Sequence, residues 1–309
     1  MGTPEFAVPS LRVVARACEV AAVVTQPDRP RGRGRATGAS AVALAAEELG
    51  LQIWKPERVN APEWIQRLKA LEPDLFAVVA YGAILKPELL ALPRQGAINL
   101  HGSMLPEYRG ASPVQRALWE GRPATGVTTI WMDAGIDTGD MIAQRWEPIE
   151  SSDDAATLAA RLADLGAPLL AEGLVLAHAG EAPRRPQAPA GSYAPRLVKQ
   201  DGLIDWQRDA ESVWNRQRSV TPWPGATTRF RDVRMQLTGS LPLHRLDPGA
   251  AAGTVMAAGA VGVDVACAPG VLRVLRLKPE GRAEMAAAEW ARGVRLEVRE
   301  RFEPLETTT

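Results

Sequence analysis

Short apolar runs and helical segments alternate along the first 100 residues of this chain, and this alternation restricts the possible folds. The apolar runs are rich in β-branched residues and are typical of strands covered on both faces. Strands that alternate with helices form a parallel sheet with helices packed on it. We therefore expect an α/β domain with a Rossmann-like parallel sheet. The predicted strands are 20–25, 51–54, 74–80 and 97–100, and the predicted helices are 39–49 and 62–71.

Two polar residues stand at the end of the last of these strands. Asn99 and His101 are two positions apart, so their side chains point to the same side of a strand. At the carboxyl end of a parallel strand, that side faces the crevice where open α/β sheets bind ligands. An isolated Asn-x-His pair is more often a strand end with satisfied polar side chains than an active site. The pair alone therefore leaves a purely structural role open.

The residues around this pair form two longer motifs. Asn99 to Gly110 reads NLHGSMLPEYRG, and residues 125–142 read TGVTTIWMDAGIDTGDMI. The first string resembles the signature of formyltransferases that use 10-formyltetrahydrofolate, with Met104 in place of the usual first leucine. The second string resembles the strand and acidic loop of the same family, and Asp137 matches its functional aspartate. The resemblance implies that Asn99, His101 and Asp137 are catalytic.

The same resemblance implies a folate site beside these residues. The expected co-substrate is 10-formyltetrahydrofolate, held by backbone groups and apolar walls, and neither a metal nor a covalent nucleophile is required. Apart from the resemblance, residues 80–85 read as ordinary core. The expected folate-binding residues are Ser103, Met104, Leu105, Pro106, Tyr81, Gly82, Ile84 and Leu85.

A basic stretch, QPDRPRGRGR, runs from Gln26 to Arg35. Its glycines and prolines predict a loop without regular structure. An isolated basic loop is most often a solvated surface without a partner. This one, however, resembles a loop of methionyl-tRNA formyltransferases that is implicated in holding the tRNA acceptor arm. Guanidinium groups can clamp phosphates and stack on unpaired bases. The resemblance implies that the tRNA-binding residues are Arg29, Arg31, Arg33 and Arg35.

The Pro-rich stretch GEAPRRPQAPAGS, residues 180–192, predicts a semi-rigid linker between two domains. Several short strands with turn signals follow it, at 228–230, 235–238, 253–256, 261–266 and 271–277. Their spacing predicts a small β-barrel, and the resemblance, which continues through 194–206 and 213–226, implies an OB-like one. We therefore expect a catalytic domain at 1–179, a linker at 180–199 and an OB-like tRNA-binding domain at 200–309.

Charge and cysteine content limit the possible partners and compartments. The formal net charge is zero, so no global field selects a nucleic acid or a membrane surface. Residues 184–245 nevertheless contain eleven Lys or Arg against five Asp or Glu, a region that is either merely solvated or in contact with tRNA. The two cysteines lie far apart and predict neither a disulfide framework nor a zinc site. We expect a monomer in the cytoplasm, without a membrane span.

The chemistry implied by the resemblance is formyl transfer to the amino group of methionyl initiator tRNA. The amine attacks the formyl carbon, and the tetrahedral oxyanion requires donors that are fixed beforehand. Asn99 can supply an amide N–H, His101 a second donor if it is protonated, and Asp137 can orient the imidazole and carry the proton through water. Two alternatives stay open: a folate-dependent formyltransferase acting on glycinamide ribonucleotide or an amino sugar, and a non-catalytic RNA-binding relative.

The beginning of the chain leads to one further expectation. Members of the family start with a short apolar strand that runs into a Gly-Thr-Pro turn, whereas Gly2, Thr3 and Pro4 here follow Met1 directly. The first strand of a doubly wound sheet normally lies centrally. We therefore expect an open slot or a substitute segment at that place in the sheet. We also expect Met1 to be an internal methionine of a natural protein that extends upstream.

Overall fold

The computed structural model describes residues 1–31, 36–243 and 249–305. The chain divides into two compact units. The first unit contains Met1–Pro113, Ala124–Pro148 and Ala159–Ala194. The second unit contains Val114–Pro123, Ile149–Leu158 and Pro195–Thr309. The domain boundaries expected at 179 and 200 stay a prediction.

Helices and strands of the described residues are numbered in chain order. The helices are α1 (Val8–Ala17), α2 (Ala41–Glu48), α3 (Pro62–Lys69), α4 (Pro87–Leu90), α5 (Pro113–Trp119), α6 (Ala155–His178), α7 (Ala210–Ser219) and α8 (Ala287–Gly293). The strands are β1 (Val23–Val24), β2 (Arg29–Arg31), β3 (Ala36–Gly38), β4 (Ile53–Trp54), β5 (Phe76–Val78), β6 (Ala97–His101), β7 (Arg109–Gly110), β8 (Ala124–Trp131), β9 (Met141–Pro148), β10 (Tyr193–Ala194), β11 (Ala226–Phe230), β12 (Val233–Leu243), β13 (Val255–Ala258), β14 (Val263–Ala266), β15 (Val271–Pro279), β16 (Met285–Ala286) and β17 (Phe302–Glu303).

The first unit has the predicted α/β character, with a four-stranded sheet in the order β5-β6-β8-β9. β5 and β6 are parallel, and Val78 pairs with Asn99 at their carboxyl ends. β8 and β9 run antiparallel to their neighbours. β1 pairs with β4 in a separate parallel ribbon. The Rossmann-like interpretation is confirmed, although the strands β1, β4 and β5 are shorter than predicted.

An open slot separates β1 from β5. A cavity of about 720 Å³ lies between the two strands, lined by backbone and side chains that include Ala21, Val23, Leu75 and Ala77. At one end of the slot, Met1 and Gly2 bridge its walls: the Gly2 N–H donates to the Val24 carbonyl at 3.1 Å, and the Met1 carbonyl accepts from the Val79 N–H at 2.9 Å. The expectation of an open slot in the sheet is therefore confirmed.

Close packing of α6 fixes the orientation of β6. A Cβ atom at Gly166 would lie only 2.7 Å from Leu100 Cδ2, so the glycine allows this helix to approach the Leu100 side chain closely. Leu100 is 2% exposed beneath the helix. Because side chains alternate along a strand, Asn99 and His101 face away from α6. The helix thus holds the strand that carries both polar residues.

One local prediction is wrong. The glycines and prolines of residues 26–35 predicted a loop without regular structure, but β2 (Arg29–Arg31) pairs antiparallel with β3 (Ala36–Gly38). A proline can lie in a two-stranded ribbon when its missing N–H falls on an unpaired side. Arg33 and Arg35 lie outside the described residues.

The second unit contains the predicted small β-barrel. Its antiparallel strands follow the order β13-β14-β15-β12-β11-β17, and β16 pairs with β15. The two ends of this order are joined by main-chain hydrogen bonds, since the Val255 N–H donates to Glu300 O at 2.7 Å and the Phe302 N–H donates to Gly253 O at 2.8 Å. Phe230 packs against Phe302 with tilted rings, 5.0 Å between ring centroids, inside the resulting core.

No helix in the described part of the chain is both long and apolar enough to span a bilayer.

Candidate active site

The carboxyl end of β6 brings Asn99 and His101 to a buried position. Asn99 is 8% exposed and His101 is 6% exposed, so neither is an ordinary surface residue. Buried polar side chains require hydrogen-bond partners, because an unsatisfied donor or acceptor costs about 1–3 kcal/mol. The hydrogen-bond partners of Asn99 and His101 therefore identify the other residues of the site.

Asp137 is the shared partner. Asn99 Nδ2 donates to Asp137 Oδ1 at 3.4 Å, and His101 Nδ1 lies 3.5 Å from Asp137 Oδ2. The backbone N–H of Gly110 donates to Oδ2 at 2.9 Å, the shortest of the three contacts. Asp137 has a φ of 53°, which lies in the left-handed region that non-glycine residues seldom adopt. The structure therefore brings together Asn99, His101 and Asp137, and adds Gly110 as the main donor to the carboxylate.

The other nitrogen of His101 is fixed by the main chain. His101 Nε2 lies 2.8 Å from the carbonyl oxygen of Tyr108. A carbonyl can only accept, so Nε2 carries a proton. The network therefore leaves Nδ1 facing the Asp137 carboxylate.

A buried threonine secures the loop after His101. Thr128 Oγ1 donates to Ser103 O at 2.7 Å and accepts from the Leu105 N–H at 3.1 Å. Gln144 Nε2 donates to Leu105 O at 2.8 Å. Of the residues expected to bind folate here, Ser103 and Leu105 are buried, whereas Met104 and Pro106 are partly exposed. The main chain of this loop is thus tied to β8 and β9.

The second stretch expected to bind folate follows the end of β5, next to the end of β6 in the parallel pair. Ile84 is 73% exposed, an unusual exposure for a large aliphatic side chain. Leu85, by contrast, is 5% exposed in an apolar cluster, and Gly82 has a φ of 87°. Tyr81 is 2% exposed, and its hydroxyl has no hydrogen-bond partner among the described residues. Burial raises the pKa of Tyr81 to about 12.

Of the arginines expected to contact tRNA, Arg29 is exposed. Arg31 contributes its backbone to β2. In the basic region of 184–245, two arginines serve the packing of the second unit. Arg216 lies 3.3 Å above the centroid of the Trp119 ring, and burial lowers its pKa to about 10. Arg218 is 6% exposed and stacks on Trp214. The count of basic residues therefore overstates the charge on the surface.

The Pro-rich segment 183–194 contacts the site directly. β10 (Tyr193–Ala194) pairs with β7 (Arg109–Gly110), and the Tyr108 N–H donates to Ser192 Oγ at 2.8 Å. Gln187 Nε2 donates to the carbonyl oxygens of Asp137, at 2.8 Å, and Gly139, at 2.9 Å.

Sequence reasoning did not predict the contributions of Gly110, Gln187, Thr128 and the Tyr108 carbonyl. The composition of the segment that contains Gln187 indicated only a linker. For Gly110, the Arg-Gly end of the motif was an available signal. Thr128 and Tyr108 lie within the two quoted motifs, but nothing in the sequence indicated the hydrogen bonds that they make, and no local pattern indicated Gln187.

No group of three or more His, Cys, Asp or Glu side chains within 1–31, 36–243 and 249–305 is arranged to hold a metal ion.

Comparison with known proteins identifies the family. The formyl transferase family model matches residues 8–174, and the model of the formyl transferase C-terminal domain matches residues 196–295. A methionyl-tRNA formyltransferase of Citrifermentans bemidjiense is 42% identical over 299 residues, which cover 96% of this chain and 93% of that protein. The chain belongs to the methionyl-tRNA formyltransferase family. Another member, from Xylella fastidiosa, is 45% identical over 291 residues, or 94% of each chain.

Solved structures of lower sequence similarity share the fold. An N-formyltransferase from Helicobacter canadensis, in complex with folinic acid and dTDP-3-aminofucose, has a TM-score of 0.64 at 18% identity and covers 88% of this chain and 96% of its own. HypX from Aquifex aeolicus, in complex with tetrahydrofolic acid, has a TM-score of 0.60 at 18% identity and covers 85% of this chain and 46% of its own. At these identities the comparison supports the architecture only.

Proposed function

We propose that this protein transfers the formyl group of 10-formyltetrahydrofolate to the α-amino group of methionyl initiator tRNA. The observation that carries the proposal is the convergence of Asn99, His101 and Asp137 at the end of β6, in a chain whose family is the methionyl-tRNA formyltransferases. The amine nitrogen forms a bond to the formyl carbon, and the bond from that carbon to N10 of the folate breaks. The amine loses a proton and N10 gains one.

Asn99 is the donor best placed to stabilise the oxyanion. Its Nδ2 carries two hydrogens, and one of them is directed to Asp137 Oδ1. The other is available to the developing negative charge on the formyl oxygen. A single preorganised donor of this kind contributes about 10²- to 10³-fold to turnover.

His101 and Asp137 have complementary roles in the proposal. His101 Nε2 is held by the Tyr108 carbonyl, so Nδ1 is the nitrogen that faces the reacting groups and the carboxylate. A doubly protonated ring would donate to both acceptors. Asp137 orients the imidazole and accepts the proton that the attacking amine releases, through water.

Folate binding is assigned to the two loops that follow β5 and β6. The exposed Ile84 offers an apolar wall, and the main chain of residues 103–106 is immobilised by Thr128. Pockets for flat ligands combine such apolar walls with a few fixed polar groups. Leu85 is buried in the core and contributes through its backbone.

Recognition of tRNA is assigned to Arg29, Arg31, Arg33 and Arg35 and to exposed basic residues of the second unit. The latter include Arg196, Lys199, Arg208 and Arg234. Neutralising Arg31, Arg33 and Arg35 together should weaken the use of charged tRNA and lower the slope of log affinity against log salt by about 2–3. Folate affinity should stay unchanged. An equal loss of folate binding would place these arginines in the folate site instead.

A formyl-transfer assay with purified substrates tests the proposal as a whole. The protein should formylate methionyl initiator tRNA in preference to charged elongator tRNA. It should leave glycinamide ribonucleotide and amino sugars unmodified. Replacing Asn99, His101 or Asp137 by Ala should lower turnover at least 100-fold while the fold is retained. Near-normal turnover of the Asn99→Ala enzyme would refute the assignment of the site, and RNA binding without any transfer would support a non-catalytic protein.

A further inference from the structure

We propose that Gln187 is a positioning residue that holds Asp137 in its working conformation. Gln187 lies in the Pro-rich segment that follows α6, 50 residues beyond Asp137 in the chain. Its described hydrogen bonds go to Asp137, Gly139 and Arg109, and none of these three residues belongs to the two loops expected to bind folate. The inference rests on the proposed role of Asp137 and concerns how that residue is kept in place.

The amide of Gln187 has all four of its hydrogen-bonding positions occupied. Nε2 donates to Asp137 O at 2.8 Å and to Gly139 O at 2.9 Å. Oε1 accepts from Arg109 Nε at 3.1 Å and from Arg109 Nη2 at 2.9 Å. A flipped amide would set oxygen against two carbonyls and an NH₂ group against a guanidinium, so the network permits a single orientation.

These bonds join the two segments that define the environment of the Asp137 carboxylate. On one side they bind the carbonyl of Asp137 itself, whose φ of 53° is unfavourable for a residue other than glycine. On the other side they bind Arg109, and the next residue, Gly110, donates its N–H to Asp137 Oδ2 at 2.9 Å. Gln187 thus bonds both the backbone that presents the carboxylate and the side chain of the residue next to the donor that the carboxylate meets.

Strained backbone persists only where the surroundings impose it. The acidic loop has its own internal support, since Asp133 accepts from the Gly135 N–H and from Thr138 Oγ1. That support spans Asp137, from residue 133 to residue 138, but no described hydrogen bond within it reaches the Asp137 carbonyl. Gln187 supplies the bonds that do, so its loss should release Asp137 while leaving the rest of the loop intact.

A double-mutant cycle on turnover tests this role. Gln187→Met keeps the length of the side chain and removes all four bonds, and we expect kcat to fall about 10- to 100-fold, the usual consequence of misplacing a reacting group by about 1 Å. KM for the folate and for the charged tRNA should change less than about threefold, because the described hydrogen bonds of Gln187 go to Asp137, Gly139 and Arg109, which are not among the residues assigned to folate or tRNA binding. In an Asp137→Ala background, the same substitution should cost less than about threefold in kcat, because no carboxylate is left to position.

Two further variants separate positioning from general stabilisation. Gln187→Glu retains an acceptor for Arg109 but sets an oxygen against the carbonyls of Asp137 and Gly139, so it should lose as much kcat as Gln187→Met. If Gln187 served only to bind Arg109, the Gln187→Glu enzyme would retain normal kcat. Gln95→Met is the matched control, because Gln95 is also half-buried in the first unit and donates to a carbonyl, that of His178, at 3.1 Å. It should retain normal kcat.

The outcomes are distinguishable. Normal kcat in Gln187→Met or Gln187→Glu, beside an inactive Asp137→Ala enzyme, overturns the inference alone. An equal loss of kcat in the presence and absence of Asp137 also overturns it, since it would reveal a general structural role. Should Gln187→Met fail to fold by circular dichroism, Gln187→Glu carries the same cycle. An active Asp137→Ala enzyme would instead overturn the proposed catalytic role of Asp137.

Discussion

Replacement of Asp137 by asparagine should be nearly as damaging as its removal, although the two side chains have almost the same shape. Both carboxylate oxygens of Asp137 face donors: Oδ2 accepts from the Gly110 N–H at 2.9 Å, and Oδ1 accepts from Asn99 Nδ2 at 3.4 Å. An asparagine has one oxygen and one NH₂ group. One of the two donors must therefore meet another donor in the Asp137→Asn protein.

The geometry indicates which contact is lost. The Gly110 N–H is part of the main chain and cannot turn away. The side-chain oxygen of the new asparagine should therefore keep that contact. The NH₂ group of the same asparagine then faces Asn99. Asn99 can accept a hydrogen bond from this NH₂ group only by rotating its own amide through 180°. That rotation moves the N–H that we assign to the oxyanion. Loss of one such donor costs about 2.7–4 kcal/mol, equivalent to about 10²- to 10³-fold in kcat.

The assay is formyl transfer to charged initiator tRNA at saturating concentrations of both substrates. Asp140→Asn is the matched control, because it makes the same chemical change in the same loop, where Asp140 contributes its carbonyl to the Trp131 N–H at 2.8 Å. We expect near-normal kcat for that control. Because Asp137→Asn acts through Asn99, combining it with Asn99→Ala should cost less than about threefold more than either change alone. More than about one tenth of normal kcat in Asp137→Asn would refute this reasoning.

The remaining predictions concern stability, backbone geometry and thiol access. Tyr81→Phe removes a buried hydroxyl that has no partner among the described residues, so the free energy of unfolding should rise by about 1 kcal/mol in urea titrations. Gly110→Ala should lower kcat more than tenfold, because the new Cβ would lie 2.6 Å from the Tyr193 ring at a φ of 105°. Gly50→Ala, with a φ of 66° and nothing within 4 Å, controls for the backbone conformation alone. Cys267 should resist a thiol reagent until the protein unfolds, because burial raises its pKa to about 12. Cys18 is only half-buried and should react first.

The parts of the fold that follow from local pattern could be predicted from the sequence. Alternation of apolar runs and helices gave the α/β character of the first unit, and evenly spaced short strands gave the barrel of the second. The shared face of Asn99 and His101 followed from the two-residue period of a strand. Aspartates commonly satisfy the backbone of their own turn, and Asp133 does so by accepting from the Gly135 N–H at 3.0 Å.

The parts that depend on contacts distant in sequence could not be predicted in the same way. Asp137 lies 38 residues beyond Asn99, and only the resemblance to a family singled it out among three loop aspartates. Gln187 lies in a stretch whose Pro content indicated a linker, because composition reports backbone stiffness and carries no information on which loop a side chain will reach. The role of Gly110 depends on the fold, which brings its N–H to the carboxylate.

The slot between β1 and β5 has a consequence for the dynamics of the first unit. Strand edges that face a cavity have fewer ladder hydrogen bonds to break, and local opening there requires little free energy. The ribbon of β1 and β4, with the helix α1 that lines the slot, should therefore form a cooperative unit that opens separately from the β5-β6-β8-β9 sheet. In native-state hydrogen exchange, the amides of Val23 and Val24 should exchange well before those of Ile98 and Leu100. The strand that carries the proposed catalytic residues would then stay closed while its neighbour across the slot opens and closes.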